Sequence, residues 1–120
     1  MEACGDRGVE PLSYEIAHGA ALAALEAGRV EGHKVCAVVV NRSGVTKVLL
    51  SDVGVGLLGV ETARRKAYAS AVSVLPVAGG VPIVTADGEV IGAIGVGGAD
   101  DVTDDRIAHH ARDSVTKIVA

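Results

Sequence analysis

Phenylalanine and tryptophan are absent from this chain of 120 residues, and only Tyr14 and Tyr68 supply aromatic rings. Without interleaved aromatics there is no stacking platform for single-stranded nucleic acid. Basic residues are also in deficit: the formal net charge is −4 and the pI about 5.5. That balance excludes a sequence-independent nucleic-acid binder, which needs a cationic face. Cysteine is nearly missing too. Cys4 sits in a polar leader and Cys36 in an apolar run, so no bridge is expected, and two thiols match no metal framework. Cys36 reads as a small buried hydrophobe. No apolar run approaches the ~18 residues that a membrane helix needs. The opening "MEACGDRGVEP" lacks the basic and apolar regions of a secretory signal, so a cytoplasmic protein is expected.

What the chain does have is aliphatic bulk. Hydrophobic residues make up 49% and mean hydropathy is +0.41, which excludes disorder. A core of Val, Ile, Leu and Ala on so small a body leaves apolar surface to cover, and a homo-oligomer is expected. Residues 1–11 read as a leader and residues 12–120 as a single domain.

Ser13 should cap a helix running through "YEIAHGAALAALEAGR", with Glu15 complementing the dipole in its first turn. Tyr14, His18, Leu22 and Leu25 fall on one stripe of that helix, with alanines on the adjoining side. "KVCAVVVN" and "VTKVLLS" are strands joined by the turn "NRSG", and a helical pattern follows over residues 57–72. "GGVPIVTA" and "EVIGAIGVG" form a second hairpin, with Asp87-Gly88 suited to a type I′ turn. A last helix is predicted over residues 101–119, capped by Asp101. The order α-β-β-α-β-β-α implies an α+β fold, an α/β sandwich with an antiparallel sheet flanked by helices.

The glycine cluster raises the first functional question. Gly95, Gly97 and Gly98 begin a dinucleotide fingerprint, but Asp100 stands where its last glycine belongs, and no Walker lysine follows. Five aspartates (Asp100, Asp101, Asp104, Asp105 and Asp113) around the next helix would repel a phosphate. Structural glycines are the simpler reading, with a ligand contact through the Gly97-Gly98-Ala99 amides as the other. Asp105 and His109, four apart on a helix, could share a metal but lack a third ligand at fixed spacing, so no metal site is assigned. The basic run Arg64-Arg65-Lys66 is read as a solvated helix face. His18 interrupts an apolar stripe and is expected to face the sheet or a cavity beside it. There it could be an interface histidine, an axial ligand or a general base. Acid-base chemistry would need His18, Glu61 and Asp52 to converge.

Two segments, "GVETARRKAYASA" and "GGVPIVTADGEVIGAIGVGGADDVTDDRIA", together with "VCAVVVNRSG" and the helix opening Leu12-Ser13, resemble the GlcG-like, haem-binding-protein family. That family includes the C-terminal domain of PduO-type proteins. The resemblance spans residues 12–112 and implies a profilin-like sandwich that forms dimers or larger assemblies. The family's aspartate at the end of the first strand is Asn41 here, its "ARMD" survives only as Ser51-Asp52, and its usual serine is Gly97. Between Ala71 and Gly79 only "VSVLPVA" remains of a longer segment that covers one end of the family's ligand cavity.

The leading expectation is therefore a small-molecule-binding homo-oligomer, with haem or another tetrapyrrole as ligand. The ligand would lie between the first two helices and the loop from Gly95 to Ala99. His18 would be its axial ligand, with Gly95, Gly97 and Gly98 shaping the pocket. A second expectation is a cofactor-free isomerase or cyclase in which His18, Glu61 or Asp52 moves protons and the glycine-loop amides hold an oxyanion. A third is a structural or accessory subunit.

Overall fold

The Ser13 side chain accepts a hydrogen bond from the Ile16 N–H at 3.2 Å, satisfying one of the orphan donors that open a helix. The helix it starts, α1 (Tyr14–Val30), is the first element of a computed structural model that describes residues 10–73, 76–116 and 118. The leader assignment of residues 1–9, with Cys4, lies outside the described residues. There follow β1 (Cys36–Asn41), β2 (Thr46–Ser51), α2 (Leu57–Tyr68), β3 (Gly80–Val84), β4 (Val90–Gly97) and α3 (Asp101–Thr116). The fold is α+β with the order α-β-β-α-β-β-α. The four strands form one antiparallel sheet in the order β2-β1-β4-β3.

Strand alternation divides the core in two. Ala37, Val39, Val81, Ile83, Ile94 and Val96 face α1 and α3, with Leu12 and Ile107 completing the cluster. Cys36, Val38, Val40 and Ala93 face α2, through Ala63, Ala67 and Ala71. Helices α1 and α3 lie side by side on the first face, and α2 alone covers the second. Cys36 is fully buried, and that burial pushes its thiol pKa up.

Both hairpin turns depend on a glycine with positive φ. Gly44 (85°) and Gly88 (86°) each follow a turn closed by a 2.9 Å bond, from the Gly44 N–H to the Asn41 carbonyl and from the Gly88 N–H to the Thr85 carbonyl. These are three-residue loops with the glycine in third place, so Asp87-Gly88 is not the two-residue turn expected. Asn41 serves its loop with its side chain, accepting from the Ser43 and Val45 N–H groups. An aspartate there would offer the same acceptors, which makes this departure from the family pattern structurally silent.

Two further readings need correction, the inward facing of His18 and the cap of α3. The side of α1 facing the sheet is the alanine side (Ala17, Ala20, Ala21, Ala24), while Tyr14 (65% exposed), His18 and Leu22 (41% exposed) face outward. Small side chains win because they let the helix approach β1 and β2 closely. The cap of α3 is Asp100, whose carboxylate accepts from both the N–H and the hydroxyl of Thr103. Those bonds hold its pKa below the usual carboxylate range. Asp101 is the first residue inside the helix. The helical pattern of residues 57–72 is α2, which ends at Tyr68, with residues 69–73 continuing it as a single π-helical turn.

Candidate functional site

The glycines of β4 answer a packing need. A Cβ placed on Gly95 would stand 2.2 Å from the Ala63 carbonyl oxygen and 2.5 Å from the Ala67 nitrogen. One on Gly97 would meet the Gly59 carbonyl oxygen at 2.4 Å, and one on Gly80 the Lys66 carbonyl oxygen at 2.5 Å. Helix α2 thus rests backbone on backbone across β3 and β4, leaving no room for a ligand between them. Gly98 differs: its φ is +119°. It borders a cleft of about 370 Å³ at the N-terminus of α2, with Lys34, Thr62 and Lys66 among its lining residues.

Lys66 is not solvated, as a reading of the basic run had it. Its side chain is 12% exposed. Its ammonium donates to the Val96 carbonyl and to Asp104, each at 3.1 Å. Asp104 is itself 2% exposed and also accepts the Ala99 N–H at 3.0 Å. The pair ties α2 to α3 around the end of the sheet. Family-motif residues in "ARRKAY" and "ADDVTDDRIA" thus act here as a tertiary clamp.

The residues considered for proton transfer are not brought together. His18 is exposed on the outer side of α1. Glu61 lies on α2, across the sheet, within 3.1 Å of Arg64. Asp52, 5% exposed, follows β2 and receives both Nε (2.8 Å) and Nη2 (2.9 Å) of Arg29 at the end of α1. Those bonds hold the Asp52 carboxyl far below the ordinary carboxylate range, so it stays ionised and fastens α1 to the sheet.

The larger cleft lies elsewhere, along the free edge of β3. It encloses about 530 Å³ between the π-helical turn (Ser70, Ala71), the segment Pro76–Gly80, strand residues Val81 and Pro82, and Asp105 and His109 of α3. That volume suits a small-molecule ligand, and the walls are mainly apolar with a few polar groups, the pattern of a binding pocket. One side is formed by Ala71, Pro76, Val77 and Ala78.

Asp105 and His109 reach this cleft together but divide their roles. The Asp105 carboxylate accepts the Gly79 N–H at 2.9 Å, which fastens the Pro76–Gly80 segment to α3. His109 Nδ1 stands 2.9 Å from the Asp105 carbonyl oxygen. A carbonyl only accepts, so Nδ1 is the donor in this contact and Nε2 is the ring nitrogen left for a ligand. A ring nitrogen held on a carbonyl while the other is free is the usual arrangement of an imidazole ligand. Among the described residues, no group of three or more His, Cys, Asp or Glu could hold a bare metal ion. The spacing offered Asp105 and His109 as a pair that could share a metal, without a third ligand. What it could not reveal is that one Asp105 carboxylate oxygen accepts a backbone amide while the other stands 3.5 Å from His109 Nδ1, leaving Nε2 as the ring nitrogen open to a ligand.

The profile of the family described as "Haem degrading protein HbpS-like" matches residues 12–113. Among solved structures, a double mutant of Streptomyces reticuli HbpS is 32% identical, over 87% of this chain and 86% of that one, with a TM-score of 0.75. The Klebsiella pneumoniae protein ORFY is 20% identical, over 85% and 88%, with a TM-score of 0.78. PduOC, solved as a haem complex, is 21% identical, over 86% and 94%, with a TM-score of 0.77. The last two establish a shared fold alone. No curated protein sequence is significantly similar to the chain.

Proposed function

The chain belongs to the HbpS-like family of haem degrading proteins, and from that premise we propose that it binds haem in the cleft beside β3, with His109 Nε2 as the axial ligand. The observation that carries this reading is the fixed His109 ring at the wall of a 530 Å³ apolar cleft. Apolar walls remove the porphyrin from water, and a proximal imidazole is a common haem ligand. Bound haem would supply an iron centre. The chain's own part is to orient His109 through the Asp105 carbonyl and to close the cleft with Pro76–Gly80. A PduOC haem complex on the same fold gives further support.

The test is a hemin titration followed at the Soret band. Wild type should give a saturable red shift, and His109→Ala should weaken binding by at least tenfold or change the ligand-field spectrum. His18→Ala serves as the second arm. His18 lies on the outer side of α1 and would hold haem only on that surface or between two copies. A shift abolished by His18→Ala and untouched by His109→Ala would move the site to α1. No shift in wild type would end the haem reading. Loss of Soret absorbance after a reductant and air are added to the loaded protein would extend the reading from haem binding to haem degradation.

We also propose that the protein works as a homo-oligomer. The outward Tyr14 and Leu22 on α1, with Leu57 and Leu58 on α2 at 76% and 80% exposure, are the apolar groups that an interface would cover. Sedimentation velocity should return a mass at least twice that of one chain. Among the described residues no helix is long and apolar enough to cross a membrane.

A further inference from the structure

One side chain beside the cleft has no part in the reading above. Arg112 follows His109 by three residues on α3, which places the two on neighbouring positions of one helix surface. Its side chain is 23% exposed, and its Nε donates to Asp113 at 2.7 Å. Its Nη1 donates to the Pro82 carbonyl at 3.3 Å. Pro82 is a lining residue of the cleft and lies on β3, the end strand of the sheet. Arg112 does not itself line the cleft, but its guanidinium is held against Pro82, which does. Arginine carries five N–H donors and these contacts occupy two, so most of the fork remains available.

Lys66, the part-buried cation of α2, is committed elsewhere and lines the smaller cleft. Lys66 is engaged by Asp104 and the Val96 carbonyl. Asp105, the acidic lining residue, is occupied by the Gly79 N–H. An apolar cleft cannot take a ligand carboxylate without a partner, because burying an unpaired charge costs far more than burying the hydrocarbon gains. A carboxylate-bearing ligand must leave that group at the rim and pair it there, and a guanidinium fork matches a carboxylate in two-point geometry.

Resting on haem binding in this cleft, we infer that Arg112 is the carboxylate anchor of the site: it receives a propionate of the bound tetrapyrrole and so sets which edge of the ring faces solvent. The experiment compares hemin with hemin dimethyl ester, in which both carboxylates are blocked, on wild type, Arg112→Met and Arg112→Lys. Arg112→Met should bind hemin at least tenfold more weakly than wild type, as expected for loss of a charge-assisted bond. It should bind the ester as wild type does, and Arg112→Lys should recover part of the hemin affinity. Equal losses for both ligands would mean that Arg112 acts by holding β3 through Pro82, and unchanged hemin affinity would place the carboxylate elsewhere. Either result overturns the anchor while leaving haem binding intact. A wild type that binds neither ligand would overturn the haem reading itself. A urea melt of each variant, checked against wild type, separates a binding loss from a folding loss.

Discussion

On the face of the sheet that carries α1 and α3, Ile83, Ile94, Val96 and Val39 fill the space with full-length aliphatic side chains. On the α2 face, Gly80, Gly95 and Gly97 leave that space empty of side chains, and helix backbone rests on strand backbone. The two faces therefore fail in different ways. The first can lose or exchange atoms and relax around the change. At its glycines the second has no side chain to remove, and at Gly95 and Gly97 an added one meets helix backbone. The difference also bears on where a ligand can go: with α2 seated on the strands, the larger of the two clefts described lies at the sheet's edge, beside β3.

The largest effect should come from adding atoms to the closed face. Gly95→Val would drive side-chain carbons into the backbone of Ala63 and Ala67, where no rotamer change gives relief. We expect a loss of more than about 4 kcal/mol, beyond the usual range for a point change, seen as the absence of a cooperative urea transition. A variant that folds with near-native stability would break the comparison outright, since it would show that α2 can lift off the sheet. Ile94→Ala on the opposite face should cost about 3 kcal/mol, with an unchanged urea m-value, and Ile94→Val about 1 kcal/mol. A graded series there beside an all-or-none response at Gly95 is the contrast to be measured.

Next in size is the tie that holds α2 in place. Lys66→Met keeps the aliphatic stem but leaves the Asp104 carboxylate, 2% exposed, with only the Ala99 N–H among its described partners. An uncompensated buried acceptor of this kind should cost about 2 kcal/mol. Lys66→Met with Asp104→Leu should recover part of that loss, and a double variant no more stable than the single would mean that the two groups are not coupled.

How much of this was legible in the residues follows the same division. Element order and boundaries were readable because Ser13, the β-branched runs and the two glycine-bearing turns are local signals. The family resemblance rested on motifs whose residues act structurally, as with Lys66, Asp104 and the strand glycines. The alanine side of α1 was legible as the side that approaches a sheet, but His18 was expected to face inward because it interrupts an apolar stripe, and that stripe lies outward. The cap of α3 was misplaced by one residue because Asp100 and Asp101 are chemically alike, and only Thr103 distinguishes them. His109 was visible as a candidate ligand. The cleft beside it was not, because a cavity belongs to three-dimensional packing and to no short pattern of residues.

The smallest expected change at neutral pH concerns the tie on the α1 side. Asp52 is fully inside the fold, but its partner Arg29 is 59% exposed, so solvent screens the pair more than it does Lys66 and Asp104. Hydrogen bonds from Arg29 hold the folded Asp52 carboxyl below its unfolded value of about 3.9. A carboxylate of that kind contributes stability that is fully present above the unfolded pKa and lost as pH falls through the folded one. Asp52→Asn lacks this contribution at every pH. The stability gap between wild type and Asp52→Asn should therefore be constant from pH 7 to 5 and shrink below about pH 4. The remaining carboxylates titrate alike in both proteins and cancel in the difference. Urea midpoints at pH 7, 5 and 3 read the gap directly. A gap that stays constant into acid would show that α1 is fastened by the shape of the Asp52 turn, through the 2.7 Å bond from the Val53 N–H, and not by its charge.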